Sequence, residues 1–536
     1  MRGPVYGPSV RLTDTATHTV LNQPPPFEDV DFFEADLAMR EGLEREGAGW
    51  ALDRVRDCGV VAGSAEAQAH ARRAERNAPR LRTHDRYGHR VDELELDPSW
   101  HWLLRGAVER EIHALPWRDP RAGAHVAHTA LLMLWSQVDA GVVCPVTMTY
   151  AAVPALRVDA EIAAEWEPRL TLPDHERGAL CGMAMTEKQG GSDVRAGTTR
   201  AEPVGDGRYE LTGHKWFCSY PVCDVFLVLA QAPGGLSCFV VERGPGFQLQ
   251  RLKDKLGTRS LASAEVEFRG LAARLLGEEG RGVATIIEMV THTRLDCIAG
   301  SAATMRRGVA EAVHHARHRS AFGARLAEQP LMVNVLADLA LESEAATATA
   351  LRLARAYDHD DRPLRRFGTA VLKYWVCKRA TGHAAEALEC LGGNGYVEES
   401  PMPQLLRDAP INGIWEGAGN VMSLDVLRAL GREPDGAPAF LAECDLARGA
   451  DRRLDAALDA LPRTLADLSG PDGPWLARRA VEALAVAFEA SLLVRHAPPV
   501  VADAFCAARL DDGGRAYGTL PRGVDGAAIV ARALAV

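Results

Sequence analysis

Lysine is nearly missing from this sequence. Of 61 basic residues only six are lysines (Lys188, Lys215, Lys253, Lys255, Lys373 and Lys378), and the chain after Lys378 relies on arginine. With the heavy alanine usage, this reads as genome composition, although arginine leaves planar forks suited to phosphate wherever they face a ligand. The eleven cysteines form no C-x-x-C pair, and no Cys/His cluster has zinc spacing, which excludes a disulfide framework and a structural metal and predicts reduced, buried thiols. No stretch approaches the ~20 apolar residues that span a bilayer. MRGPVYGPSV lacks the apolar core of a secretory leader, so a cytoplasmic protein with no membrane association is expected. Positive charge is not in excess: the net charge is −11 and the pI near 5.9. The whole chain therefore has no attraction for nucleic acid or anionic lipid, and only a local basic face remains open.

What is present is a globular composition, 47% hydrophobic and 25% charged over 536 residues. That length is too great for one core and predicts two to four domains. Residues 1–30, ending NQPPPFEDV, read as an extended arm. From about residue 31 to 180 the pattern is helical: 123–145 and 155–170 repeat apolar residues every three or four positions. Between 181 and 280 the texture turns to short strands bounded by Gly, Pro or Asp (208–219, 224–232, 236–244, 263–270), with VGDGRY at 204–209 as a hairpin signal. Long amphipathic helices return over 281–433, at 283–322, 330–358 and 370–393. GREPDGAP (431–438) reads as a linker before a further helical unit, 434–536. The order is α, β, α and an added α unit.

Individual motifs are each ambiguous. MAMTEKQGGSD (183–193) offers the hydroxyls of Thr186 and Ser192 and bare backbone at Gly190–Gly191 to a heterocycle or phosphate, or it is a capped glycine turn. GHKWFCS (213–219) puts Phe217 and Ser219 on one strand face, to meet a flat ring or to fill a core. In HRSAFG (318–323), Arg319 can hold a pyrophosphate or serve as a helix C-cap. Glycines 392, 393 and 395 in LGGNGY admit a phosphate or simply stop a helix. In INGIWEGAGN (411–420), Glu416 is a catalytic base or a helix-start carboxylate.

In their order and spacing, T-E-x-x-G-G-S-D, G-x-K-x-F-x-S, R-x-x-F-G, L-G-G-N-G-Y and R-D-x-x-I-x-x-I-W-E-G resemble the acyl-CoA dehydrogenase family over roughly residues 100–430. THTVLNQPPP, REGAGW, CPVTMTYAA, MTEKQGGSDVRAGTTRAE and IWEGAGN are similar to its AidB branch, bacterial alkylation-response flavoproteins related to isovaleryl-CoA dehydrogenase. The resemblance implies a mainly α fold with a central β-domain: an N-terminal helical domain, a middle antiparallel β-barrel or sandwich, a C-terminal four-helix bundle and an extra helical unit.

It also implies FAD. Met185, Thr186, Ser192, Phe217 and Ser219 would line the flavin, with Asn420 near the adenylate or ring system. Arg319, Phe322, Gly392 and Gly393 would grip the cofactor of a neighbouring subunit, so a homo-oligomer, a tetramer by family, is expected. Glu416 matches the catalytic glutamate that takes the α-proton of an acyl thioester such as isovaleryl-CoA. A second family solution places the base on an earlier helix, and the matching stretch HTRLD (292–296) has Thr293 there. Arg294 and Trp415 match positions on the substrate side. The branch's DNA association would fall on the extra unit, with Arg452, Arg453, Arg478 and Arg479 as candidates. From 441 to 536, however, eleven arginines face thirteen acids, a net of −2. Two readings follow: an FAD-dependent dehydrogenase of short or branched acyl-CoA with a role in the alkylation response, or a double-stranded-DNA-binding protective flavoprotein with little turnover.

Overall fold

A computed structural model describes residues 17–511 and 513–535. The expected arm falls partly outside them, at 1–16. Residues 17–30 carry neither helix nor strand, and Phe27 anchors them by stacking on Phe32 with ring centres 5.7 Å apart.

The N-terminal helices are α1 (Leu37–Arg45), α2 (Leu52–Ala62), α3 (Ala65–Arg76), α4 (Pro98–Glu109), α5 (Leu115–Arg118), α6 (Ala124–Ser136), α7 (Val143–Leu156) and α8 (Ala160–Leu170). Side chains of Ser64, Asp97 and Asp159 cap α3, α4 and α8, satisfying amides that have no intrahelical partner. One expectation is modified here. The region is not wholly helical: β1 (Arg80–His84) and β2 (Arg90–Glu95) form an antiparallel hairpin. Its alternating RVDELE pattern and the turn at Gly88 (φ 85°) are strand signals that the surrounding helical periodicity obscured. The helical periodicity of 123–145 is carried by two helices, parted where Asp139 accepts from the Val142 amide at 2.7 Å.

The middle region holds β3 (Cys181–Ala184), β4 (Arg200–Gly205), β5 (Arg208–Ser219), β6 (Val225–Ala232), β7 (Gly235–Glu242), β8 (Phe247–Leu252) and β9 (Ser263–Leu276). The ladder β6–β4–β5–β9–β7 returns to β6 and closes on itself, with β3 and β8 alongside. Closure leaves β3 and β8, each paired on one side, as the edge strands. The pairing is not purely antiparallel, since β3–β6 and the single β4–β6 bridge are parallel. Asp206 (φ 53°) and Gly207 (φ 69°) make the expected β4–β5 hairpin turn, whose two positive φ values match the strand twist.

The C-terminal helices begin with α9 (Gly282–His318), about 55 Å long at 1.5 Å per residue. The short strands β10 (Ser320–Ala321) and β11 (Ala324–Arg325) follow, then α10 (Pro330–Asp358), α11 (Arg362–Cys390), α12 (Gly393–Tyr396), α13 (Met402–Asp408) and α14 (Gly419–Arg432). Helices α9, α10, α11 and α14 pack as a bundle. The last helices are α15 (Gly436–Asp445), α16 (Arg452–Asp467), α17 (Gly473–His496), α18 (Pro499–Leu510) and α19 (Gly526–Ala533).

The stretch read as a linker is a three-residue turn, 433–435, and Gly436 sits directly on Phe367, 3.1 Å from where a Cβ would stand. The final helices are tied to the bundle: Arg509 reaches Asp338 and Glu342 at 2.5 and 3.0 Å, and the Trp375 indole donates to Glu489 at 3.0 Å. Turn residues mark where a helix stops; they carry no information on whether the next helix docks.

Candidate active site

The loop between the 3₁₀ turn Ala409–Gly413 and α14 has unusual backbone. Glu416 (φ 57°) and Gly417 (φ 116°) both lie in the left-handed region, which costs a non-glycine residue on the order of 1 kcal/mol. A Cβ on residue 417 would also meet Met422 Sδ at 2.9 Å, so glycine is required there. The strain is held by buried cations. Lys373 on α11 donates to the carbonyls of Trp415 (2.8 Å) and Gly417 (2.5 Å). Arg294 on α9 donates to the carbonyl between them, that of Glu416, at 2.9 Å. Arg294 also pairs with Asp425 at 2.9 Å, and Arg366 pairs with the other oxygen of that carboxylate at 2.9 Å. Burial pushes the Asp425 carboxyl up, and Arg294 and Arg366 outweigh it, leaving a net lowering. Arg294 therefore faces the loop and Asp425, not open space. The Trp415 indole donates to Asn412 at 2.9 Å.

The Glu416 side chain is half-buried. Its Oε2 accepts from the Thr293 hydroxyl at 2.8 Å. Desolvation raises its pKa; Thr293, Arg294 and Lys373 oppose, and the net shift is upward. Asp296, one turn from Thr293, points elsewhere and meets His128 at 3.0 Å.

Strand β5 and α7 share the floor beneath this loop. Burial lifts the Cys144 thiol to about 12, the Ser219 hydroxyl hydrogen-bonded to it opposes the rise, and the Glu416 charge is near enough to add to it. Phe217, two residues from Ser219, is 49% exposed although it lies in the middle region's sheet. Beside it, the amide of Trp216 donates to the Thr186 carbonyl at 2.8 Å. A buried pair, Lys215 Nζ to Glu187 at 2.9 Å, pins the Met185–Ser192 loop to the sheet, with the same ammonium donating to the Met185 carbonyl at 3.3 Å. Phe217 is half-exposed, with the Lys253 ammonium 4.8 Å from its ring centre, and Cys144 links the Ser219 hydroxyl to the neighbourhood of the half-buried Glu416 carboxylate.

A second group gathers round the N-terminal arm. Arg319 donates to the Asn22 carbonyl at 2.6 Å, Asn22 exchanges side-chain bonds with the Ser320 backbone, and Asn394 donates to Gln23 at 3.0 Å. Phe322 is wholly exposed (φ 51°), and a Cβ at Gly392 or Gly393 would meet nothing within 4 Å. Asn420 is exposed on the first turn of α14.

The four arginines on the last helices do not form one patch. Helices α16 and α17 are packed neighbours joined by the short turn 468–472. Arg452 and Arg453 therefore start one helix while Arg478 and Arg479 lie near the other end of the hairpin. Arg453 is held by Asp451 and, at 2.7 Å, by Asp503. Arg478 lies over the Tyr374 ring at 5.5 Å, and its guanidinium comes within 3.0 Å of where a Cβ on Gly419 would stand.

Sequence reasoning passed over Lys373 and Lys215, whose signal was their rarity. The other four lysines sit on neighbouring loops and on α11. Lys188 and Lys253 stand 5.7 and 3.0 Å from the Trp216 ring, Lys255 acts on Cys144, and Lys378 is beside Gly419. A compact ammonium enters a cage of carbonyls that a planar guanidinium does not fit.

Residues 22–177 match the adaptive response protein AidB N-terminal domain. Residues 182–271 match the acyl-CoA dehydrogenase middle domain and residues 280–431 its C-terminal domain. AidB of Escherichia coli (strain K12) is 42% identical over 520 residues, 93% of this chain and 95% of that protein. The structure of Caenorhabditis elegans ACDH-11 in complex with C11-CoA superposes with a TM-score of 0.85 at 29% identity, covering 94% of this chain and 96% of that one. An acyl-CoA dehydrogenase from Bacillus anthracis complexed with FAD shares the fold, with a TM-score of 0.70 at 16% identity over 90% of each chain. With three successive domain matches and near full-length identity to AidB, the chain belongs to the acyl-CoA dehydrogenase family, in its AidB branch.

Proposed function

We propose that this chain is an FAD-dependent acyl-CoA dehydrogenase acting on a short or branched acyl thioester such as isovaleryl-CoA, with Glu416 as the base. The observation that carries the reading is the Glu416 loop. Three consecutive carbonyls are locked by buried cations so that one half-buried carboxylate, its pKa raised, is held near Cys144 and the Ser219 hydroxyl bonded to it. A partly desolvated carboxylate with raised pKa is what removal of a weakly acidic α-proton requires.

The residues fit FAD. The half-exposed Phe217 ring on a strand suits a flat heterocycle, and the Thr186 and Ser219 hydroxyls would supply polar contacts to it. By the family resemblance Met185 and Ser192, in the loop pinned to the sheet, and Asn420, on the first turn of α14, would complete the site. FAD, when bound, supplies the acceptor for the β-hydrogen, taken as hydride. Arg319, Phe322, Gly392 and Gly393 form a separate, outward-facing group, which supports completion of the cofactor site by a second subunit in a tetramer. Trp415 borders the acyl side of Glu416. Arg294 acts from behind the loop, holding the base in place, a role different from direct substrate contact.

Anaerobic titration of the FAD-loaded protein with isovaleryl-CoA tests this. Flavin bleaching in wild type and its loss in Glu416→Gln is the expected result. Retention of bleaching in the variant would remove Glu416 from the role.

A second reading, a DNA-protecting flavoprotein of the alkylation response, draws support from the start of α17. There Trp475 is 89% exposed next to Arg478 and Arg479. An exposed aromatic beside two arginines that have no ion pair among the described residues suits a phosphate-bearing polymer. The boundaries near 180, 280 and 433 separate the arm and N-terminal helices, the barrel, the FAD-binding bundle and the added unit that would carry this role.

A further inference from the structure

Thr293 Oγ1 lies 3.0 Å from the carbonyl of Val290, one turn back on α9, and 2.8 Å from Glu416 Oε2. Both contacts have donor geometry, yet a hydroxyl carries a single proton. The two bonds are therefore exclusive. Thr293 is 2% exposed, so no solvent competes for that proton. Glu416 Oε1 has no hydrogen-bond partner among the described residues and is not sealed in the interior.

We propose that Thr293 is a positioning residue for Glu416: its one proton alternates between the Val290 carbonyl and Oε2, leaving Oε1 as the oxygen that takes the substrate proton. This rests on the reading of Glu416 as the base. With the carboxylate charged, Thr293 donates to Oε2, because a bond to an ionised acceptor is about twice as strong as one to a neutral carbonyl. The rotamer of Glu416 is then fixed with Oε1 turned to the cleft. When the α-C–H bond of the thioester breaks, its electron pair enters the forming C=C bond and its proton passes to Oε1. The flavin, when bound, would accept the β-hydrogen as hydride. Oε2 is now a neutral carbonyl oxygen, a weaker acceptor, and Thr293 swings its proton to Val290. On release of the Glu416 proton the hydroxyl swings back. The residue that stands where the family's other solution places a base thus sets the protonation preference of this one.

The test uses the FAD-loaded protein and measures the rate of flavin bleaching by isovaleryl-CoA from pH 5 to 9. Removing the donor disfavours the charged form, so in Thr293→Val the rise of rate with pH should move to higher pH by about one unit. Below that midpoint this is roughly a tenfold loss. Thr293→Ser, which keeps the donor, should superpose on wild type. Thr293→Ala removes the donor without crowding and must show the same displacement as Val. A profile in Val and Ala identical to wild type would overturn the proposal while leaving Glu416 as base. The carboxyl C=O stretch, read as an infrared difference between each protein and its Glu416→Gln counterpart, reports the same midpoint without turnover. If no acyl-CoA bleaches the wild type, the base reading fails. A midpoint displaced in Thr293→Val then still supports the coupling, and an unmoved one overturns it.

Discussion

The ammonium of Lys373 straddles Glu416, donating to the carbonyl before it (Trp415, 2.8 Å) and the carbonyl after it (Gly417, 2.5 Å). A single buried cation therefore fixes the peptide planes on both sides of the candidate base. Lys373→Met leaves two inward-facing carbonyls without a donor. The loss is on the order of 3 kcal/mol for two charge-assisted bonds. Bleaching by acyl-CoA should fall at least tenfold, since the carboxylate loses its fixed position. Lys373→Arg should not rescue, because a planar guanidinium does not enter a gap only 1% exposed. Full activity in the arginine variant would show that charge alone matters there.

Gly417 tests the loop from the other side. Its φ of 116° and the 2.9 Å approach of Met422 Sδ to a would-be Cβ make Gly417→Ala strained twice over. Urea unfolding should show a loss of about 1–2 kcal/mol, and bleaching should fall further than stability does, because the displaced residue adjoins Glu416. Gly393→Ala is the control: nothing lies within 4 Å of its Cβ, so the isolated chain should tolerate it.

The buried pair Lys215–Glu187 gives the protein a pH-dependent stability. Burial alone would raise the Glu187 carboxyl; Lys215 and the Thr198 and Thr199 groups bonded to it reverse that and hold it at about 2, below its ordinary 4.5. A lowered carboxylate stabilises the fold fully above the unfolded value and loses that contribution as pH falls from about 4.5 through 2, some 2–3 kcal/mol in all. Lys215, whose own pKa burial lowers, stays protonated in both states across that window and adds no slope. Glu187→Gln should be destabilised at pH 7 by roughly 3 kcal/mol, a buried ammonium having lost its counter-charge. Its deficit against wild type should shrink steadily below pH 4.5. A deficit independent of pH would mean that the pair acts through packing.

How the site could be anticipated from sequence depended on what kind of signal each residue left. Glu416 and Phe217 sit in motifs whose order and spacing carry the family resemblance, and the β4–β5 turn is local chemistry that VGDGRY states outright. The contacts that make Glu416 special are long-range: Thr293 and Arg294 are more than a hundred residues away, and Lys373 more than forty. No local pattern records which helix face will meet the loop. The β1–β2 hairpin went unread because six residues of alternation are brief beside helical periodicity on either side. The docking of α15–α19 went unread because an ion pair such as Arg509–Asp338 joins positions 171 apart. The scarcity of lysine was legible from the start, and its reading as composition alone missed the two buried lysines, Lys215 and Lys373, that hold the loops.

On the DNA-binding reading, the arginines on the last helices separate by their partners. Arg453 is already neutralised by Asp451 and Asp503, and releasing it for a phosphate would cost two charge-assisted bonds. Arg478 and Arg479 have no ion pair among the described residues, and Trp475 beside them is 89% exposed. Each phosphate neutralised contributes about −0.9 to the slope of log affinity against log salt. Titration of duplex DNA from 50 to 200 mM salt should therefore give a shallower slope, by about two, in the Arg478→Ala/Arg479→Ala double variant. Arg453→Ala should leave the slope unchanged. Weakening should be alike across sequences, because phosphate contacts position without reading bases. An unaltered slope in the double variant, with wild type bound, would place the DNA surface elsewhere. No binding in the wild type at 50 mM salt would agree with the local net charge of −2 and leave the dehydrogenase reading alone.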